Sequence, residues 1–165
     1  MGAIAYETGG VLVDHGWLRI LGSGHPKLSR NIAEWNRSRS SGYLLVADDV
    51  VGGFFAINGG NLGDDAGSMY YWAPDTLGWE ALGIGYSDFI RWALGDQLSA
   101  FYRDLRWNNW ELDAKTVSGD HCFTFYPFLW TDKGSIAFSS RKLVNVSEQY
   151  ALNVELASKL NEPET

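Results

Sequence analysis

Over residues 9–85 no apolar run lasts longer than five residues. The longest of them are closed by glycine, aspartate, asparagine or proline. Runs this short suit strands, and the residues between them suit reversals of the chain. Residues 11–13 and 17–21 flank Asp14-His15-Gly16 and predict a hairpin. Residues 43–47 and 54–57 predict a strand pair joined by the turn Asp48-Asp49-Val50-Val51-Gly52-Gly53. Residues 69–72 and 79–82 predict two more strands, on either side of the turn sequence Pro74-Asp75-Thr76-Leu77-Gly78. A short helix over 28–36 carries Ile32 and Trp35 at helical spacing. The segment before Gly9 reads as the last turn of a helix, with glycine taking the left-handed cap.

Near residue 87 the period changes from two to that of a helix. Ser87 is the expected N-cap, with Asp88 in the first turn where its charge suits the helix dipole. Phe89, Trp92 and Ala93 share a face, Gly95 ends the helix and Asp96 caps the next. Leu98, Phe101, Tyr102 and Leu105 then fall at i, i+3, i+4 and i+7, an apolar stripe facing the sheet. Residues 123–130, interrupted by Pro127, predict an edge strand. A terminal helix capped by Ser147 is expected to line one face with Leu152, Leu156 and Leu160, and 161–165 to fray. These elements predict one α+β domain over 1–165, with a mixed or antiparallel sheet and flanking helices.

Composition narrows the function classes. The chain holds eight Trp, eight Tyr and eight Phe. They fit an aromatic-rich core, and they fit a recognition surface. The net charge of −7 argues against a sequence-independent nucleic-acid binder, which needs a basic face, and against an anionic membrane surface. It fits encounter with a basic protein, or simple solubility. The lone Cys122 excludes an internal disulfide. The sequence has no signal-peptide pattern and no run of about 18 apolar residues. A reducing cytoplasmic location is the expectation.

The glycine- and acid-rich stretches fit no known chemical motif. A P-loop needs Gly-Lys-Ser/Thr after its glycines, and none is present. The glycines of ADDVVGGFFAINGG (47–60) lie between strands, whereas a dinucleotide fingerprint lies between a strand and a helix. Gly59-Gly60-Asn61-Leu62-Gly63-Asp64 approaches a calcium nonapeptide, but its last glycine falls one position late and the unit does not repeat. No metal and no cofactor are expected. His15, His25 and His121 lack zinc-ligand spacing. Cys122 beside His121 reads as buried and inert rather than as a nucleophile with its base. There is no Gly-x-Ser-x-Gly elbow. The acid pairs Asp48-Asp49 and Asp64-Asp65 read as solvated turn residues, because sequence neighbours do not face each other across a substrate as a glycosidase pair must. As the most acidic turns, they are the candidate contacts for a cationic partner.

The order of these features resembles the SUKH superfamily. LLVADDVVGGFFAING supplies an acid-and-glycine hairpin, SMYYWAPDTLGWEALG a strand, turn and strand, and YSDFIRWAL a closing helix. The likeness covers roughly residues 3–94. It implies an α+β fold and a binding role, many bacterial members being immunity proteins that neutralise toxins, and it supplies no catalytic residues. Over its whole length the chain is similar to a bacterial family labelled only as a domain of unknown function, in which GAIAYETGG, DDVVGGFFAINGG and YSDFIRWAL occur in this order. Members of that family carry more chain ahead of the glycine pair. The first helix is therefore expected to be a stub, leaving a surface that a second subunit could cover. The expected function is a non-enzymatic protein-binding domain, an immunity or accessory protein for a partner such as a cationic toxin. The alternative is a small hydrolase with a scattered site.

Overall fold

The computed structural model describes residues 7–161. Six strands form one antiparallel sheet in chain order: β1 Gly10–Val13, β2 Leu18–Leu21, β3 Tyr43–Asp49, β4 Phe54–Asn58, β5 Ser68–Ala73 and β6 Gly78–Gly85. A second sheet pairs β7 His121–Tyr126 with β8 Ser140–Asn145. Five α-helices are found among the described residues: α1 Ile32–Asn36, α2 Tyr86–Ala93, α3 Gln97–Phe101, α4 Trp110–Thr116 and α5 Val146–Asn161. The α+β class follows, and the sheets are antiparallel throughout. Residues 3–6 of the expected first helix and 162–165 of the expected frayed tail lie outside the described residues.

The meander arises because each apolar run is too short to do anything but cross the sheet once. The β1–β2 turn places Asp14 and His15 at φ of 50° and 62° and Gly16 at 83°. That sequence of left-handed residues reverses the chain in the sense that matches strand twist. α1 starts later than its spacing predicts, at Ile32, because the Asn31 side chain accepts hydrogen bonds from the backbone N–H of Ala33 and Glu34. α2 begins directly after β6. Gly85 therefore occupies the N-cap and Ser87 does not, and no side chain caps that end.

The stripe predicted over 96–105 is real but its helix is broken. α3 stops at Phe101 and a 3-10 turn, Arg103–Leu105, follows. Leu98, Tyr102 and Leu105 are nevertheless buried, and Phe101 packs partly buried against the core. α5 buries Val146, Gln149, Tyr150 and Asn153 rather than the leucines, and Leu160 is exposed. The polar pair is tolerated because Gln149 Nε2 donates to Asn153 Oδ1 at 2.8 Å and Asn153 Nδ2 to the Gly52 carbonyl at 3.2 Å. The cap of α5 is Asn145, whose Oδ1 accepts from the Ser147 N–H at 2.9 Å.

Most of the aromatic content is core. Trp17 is fully buried, with Tyr102 and Trp110 edge-on to it at 5.4 and 5.1 Å. Phe55 meets Tyr71 at 4.6 Å and Phe89 of α2 at 5.0 Å, which fastens that helix to the sheet. Some rings stay outside: Tyr126 and Phe138 are exposed. No helix among the described residues is long and apolar enough to cross a membrane.

Candidate functional site

The two acid pairs singled out by sequence meet different fates. β3 runs two residues further than the apolar run that marks it, so Asp48 and Asp49 belong to the strand and not to an exposed turn. Both are buried. This corrects the expectation that they form a solvated acidic loop. Successive strand residues point to opposite faces, and the two carboxylates accordingly enter two separate networks.

Asp48 sits opposite Arg19 in the β2–β3 register. Its Oδ1 accepts from Arg19 Nε at 2.7 Å and Arg30 Nη2 at 3.2 Å, and its Oδ2 accepts from Arg30 Nη1. Arg30 reaches on to Asp120 Oδ1 at 3.2 Å and the Gly119 carbonyl at 2.7 Å, while Arg19 Nη1 donates to the His121 carbonyl at 2.9 Å. Two arginines and two aspartates balance in charge. They tie β2, β3, the segment before α1 and the start of β7 together. Partial burial alone would push the Asp120 carboxyl up, but hydrogen bonds from Ser29 and Arg30 outweigh it and hold the group below its usual value.

Asp49 pairs with no cation among the described residues. Its Oδ1 accepts the backbone N–H of Val51 at 3.0 Å and of Gly53 at 2.7 Å. Its Oδ2 accepts the hydroxyls of Tyr71 at 2.7 Å and Tyr102 at 2.8 Å. Burial raises the Asp49 carboxyl above its ordinary value despite these four donors. Burial, and then the neighbouring carboxylate, push both tyrosines well above theirs. The glycine doublet follows from this geometry. Gly52 takes φ +85°, and a Cβ on Gly53 would strike the Tyr71 hydroxyl and the Asp49 carboxylate.

Asp64 and Asp65 are exposed, as their turn sequence predicts. Tyr70's hydroxyl donates to Asp65 Oδ1 at 2.6 Å and holds that carboxyl below its usual value. Asn58 organises the loop from the inside: its Oδ1 accepts from Gly60 N–H at 2.7 Å and Leu62 N–H at 3.1 Å, and its Nδ2 donates to the Gly63 carbonyl. One acid pair is therefore interior and the other is surface, so the four do not form one face.

Cys122 is fully buried, and burial pushes its thiol up to about 12, which leaves no thiolate for nucleophilic work. Among the described residues no cluster of His, Cys, Asp and Glu could hold a metal ion. The partners of Asp48 could have been sought from sequence: Arg19 is a cation inside the apolar run Trp17 to Leu21, and a buried arginine requires an anion. Nothing local marks Arg30 or Asp120.

A family model described as "Protein of unknown function DUF2625" matches residues 1–149. The uncharacterised protein YbfG of Escherichia coli (strain K12) is 46% identical over 159 residues, which cover 94% of this chain and 73% of that protein. An uncharacterised protein of Haemophilus influenzae is 45% identical over 170 aligned residues, 98% of this chain and 74% of that protein. No solved structure matches the chain at a comparable level.

Proposed function

The chain belongs to the DUF2625 family, and from that premise we propose that it is a binding domain rather than an enzyme. The observation that carries this reading is the commitment of Asp48, Asp49 and Cys122 to the fold. Asp48 is held by two arginines, and Asp49 by two tyrosines and two backbone N–H groups. A general acid or base must reach the proton that it moves, and neither carboxylate faces solvent. Cys122 is likewise enclosed.

The antiparallel meander closed by α2 supports the element order on which the likeness to SUKH immunity proteins rests. An immunity or accessory role is the finer form of the proposal, with a cationic protein as the partner class. The exposed pair Asp64-Asp65, on a loop whose backbone is fixed by Asn58, is the contact surface retained from the sequence. An acidic surface acts mainly on the association rate.

The test is affinity capture with the tagged chain, followed by association kinetics with the recovered protein. Salt should slow association by screening, and Asp64→Asn/Asp65→Asn should slow it further at low salt. A rate indifferent to both removes the acidic loop from the interface. Turnover of an ester, phosphoester or peptide substrate panel by the purified chain would overturn the non-enzymatic reading.

A further inference from the structure

We propose that the cleft between Trp107 and Arg141 binds a small organic anion, its carboxylate or phosphate head held by Arg106 and Arg141 and its apolar part lying against Ile136, Ala137 and the edge of Trp107. The cleft measures about 510 Å³ and is completed by Asn108. That is the scale of a small-molecule site, and such sites are mostly apolar with a few convergent polar groups.

The two arginines arrive from distant segments, one just beyond the 3-10 turn and one on β8. In a chain of net charge −7, their convergence is against the overall bias. Arg106 is fixed before any ligand arrives. Its side chain is only 9% exposed, its Nη2 is paired with Asp14, and its guanidinium lies 3.7 Å from the Trp110 ring centroid and 4.8 Å from that of Trp17. Yet its donors are not all used. Nε is buried without a hydrogen-bond partner, and among the described residues the guanidinium's side-chain hydrogen bond is the one from Nη2 to Asp14. Buried polar groups are rarely left so. An acceptor approaching Nη1 and the outer edge of the guanidinium would use capacity that the fold leaves idle.

Arg141 supplies the charge. Asp14 neutralises Arg106, but no carboxylate pairs with Arg141 among the described residues. Its guanidinium lies instead over the Trp107 ring at 4.3 Å. Trp107 is held in turn: its Nε1 donates to Asp113 at 2.6 Å, and Phe123 stands edge-on to it at 5.5 Å. The cleft therefore has one uncompensated cation, one preset guanidinium and one fixed aromatic wall. A planar guanidinium matches an oxyanion with two parallel hydrogen bonds. This site rests on side chains different from those of the acidic-loop proposal and needs no protein partner.

The probes are phenyl phosphate and benzoate, which share a ring and differ in the head, with benzyl alcohol as the uncharged control. Each is titrated into the full chain by calorimetry, while the assigned indole N–H resonance of Trp107 reports the location. Saturable binding of at least one anion with Kd below about 1 mM, with a shift of the Trp107 signal, is expected. Benzyl alcohol should bind at least about tenfold more weakly. Arg141→Gln, at an exposed position, should keep the melting temperature and weaken the anion about tenfold, and Arg141→Lys should recover part of the loss. The assignment is overturned by any of three results: neither anion saturates below about 1 mM, Arg141→Gln leaves the affinity unchanged, or benzyl alcohol binds as well as the anions.

Discussion

Arg19 stands directly across the β2–β3 ladder from Asp48, and its Nε donates to Asp48 Oδ1 at 2.7 Å with both side chains almost fully buried. Breaking such a pair strands a charge that water cannot reach. Asp48→Asn should therefore cost about 3–5 kcal/mol, because Arg19 loses the one carboxylate it pairs with among the described residues and Arg30 is left with Asp120 alone. Urea unfolding measures it. A loss under about 1 kcal/mol would mean that other groups or water already solvate the arginines.

Asp49 predicts a pH dependence of the opposite sense from most carboxylates. Its folded value lies above the unfolded one, so the native state holds its proton more tightly. Its contribution is fully present below the unfolded pKa of about 3.9 and is lost as pH rises through the folded value. Asp65 and Asp120, held low in the fold, contribute above their unfolded value and lose that contribution as pH falls. The difference in unfolding free energy between wild type and Asp49→Asn, followed from acid to neutral pH, isolates the Asp49 part. It should fall with rising pH; a rising or flat difference would reverse the assignment.

Gly53→Ala should destabilise the protein by about 1–3 kcal/mol, the usual cost of overpacking. The added methyl meets the Tyr71 hydroxyl and the Asp49 carboxylate, and neither can retreat without losing a hydrogen bond. Pairing it with Tyr71→Phe makes a double-mutant cycle. Part of the penalty should disappear in the double variant if the hydroxyl is the obstacle, and strict additivity would place the clash elsewhere.

Cys122 should be silent to thiol reagents in the native protein at neutral pH. It is enclosed by the core, and burial pushes its thiol up to about 12. Ellman's reagent should register a free thiol only as denaturant opens the fold, with a midpoint that tracks unfolding. Rapid modification without denaturant would show that β7 opens locally.

Short apolar runs and turn residues determined the meander, since a five-residue run such as Tyr43 to Ala47 can only cross a sheet. The period change near residue 87 determined where helices replace strands, and helical spacing identified Leu98, Tyr102 and Leu105 as core. Local chemistry sufficed there because hydrophobic periodicity is written in consecutive residues. It failed for β8, whose first three residues Ser140, Arg141 and Lys142 are polar and exposed, and which pairs along its whole length with β7.

The fate of the acids was decided by tertiary structure alone. Asp48-Asp49 and Asp64-Asp65 are both acid pairs beside glycines, and their sequences predict the same solvated turn. Asp48 is interior because Arg19 and Arg30 arrive beside it, from 29 and 18 residues away. Asp49 is interior because Tyr102, 53 residues on, points at it. The same holds for the cleft, which Arg106 and Arg141 line together with a Trp that local sequence marks only as apolar. A charge can be buried only where a partner compensates for lost water. Such partners come from anywhere along the chain, so burial of a charge is a property of the assembled fold.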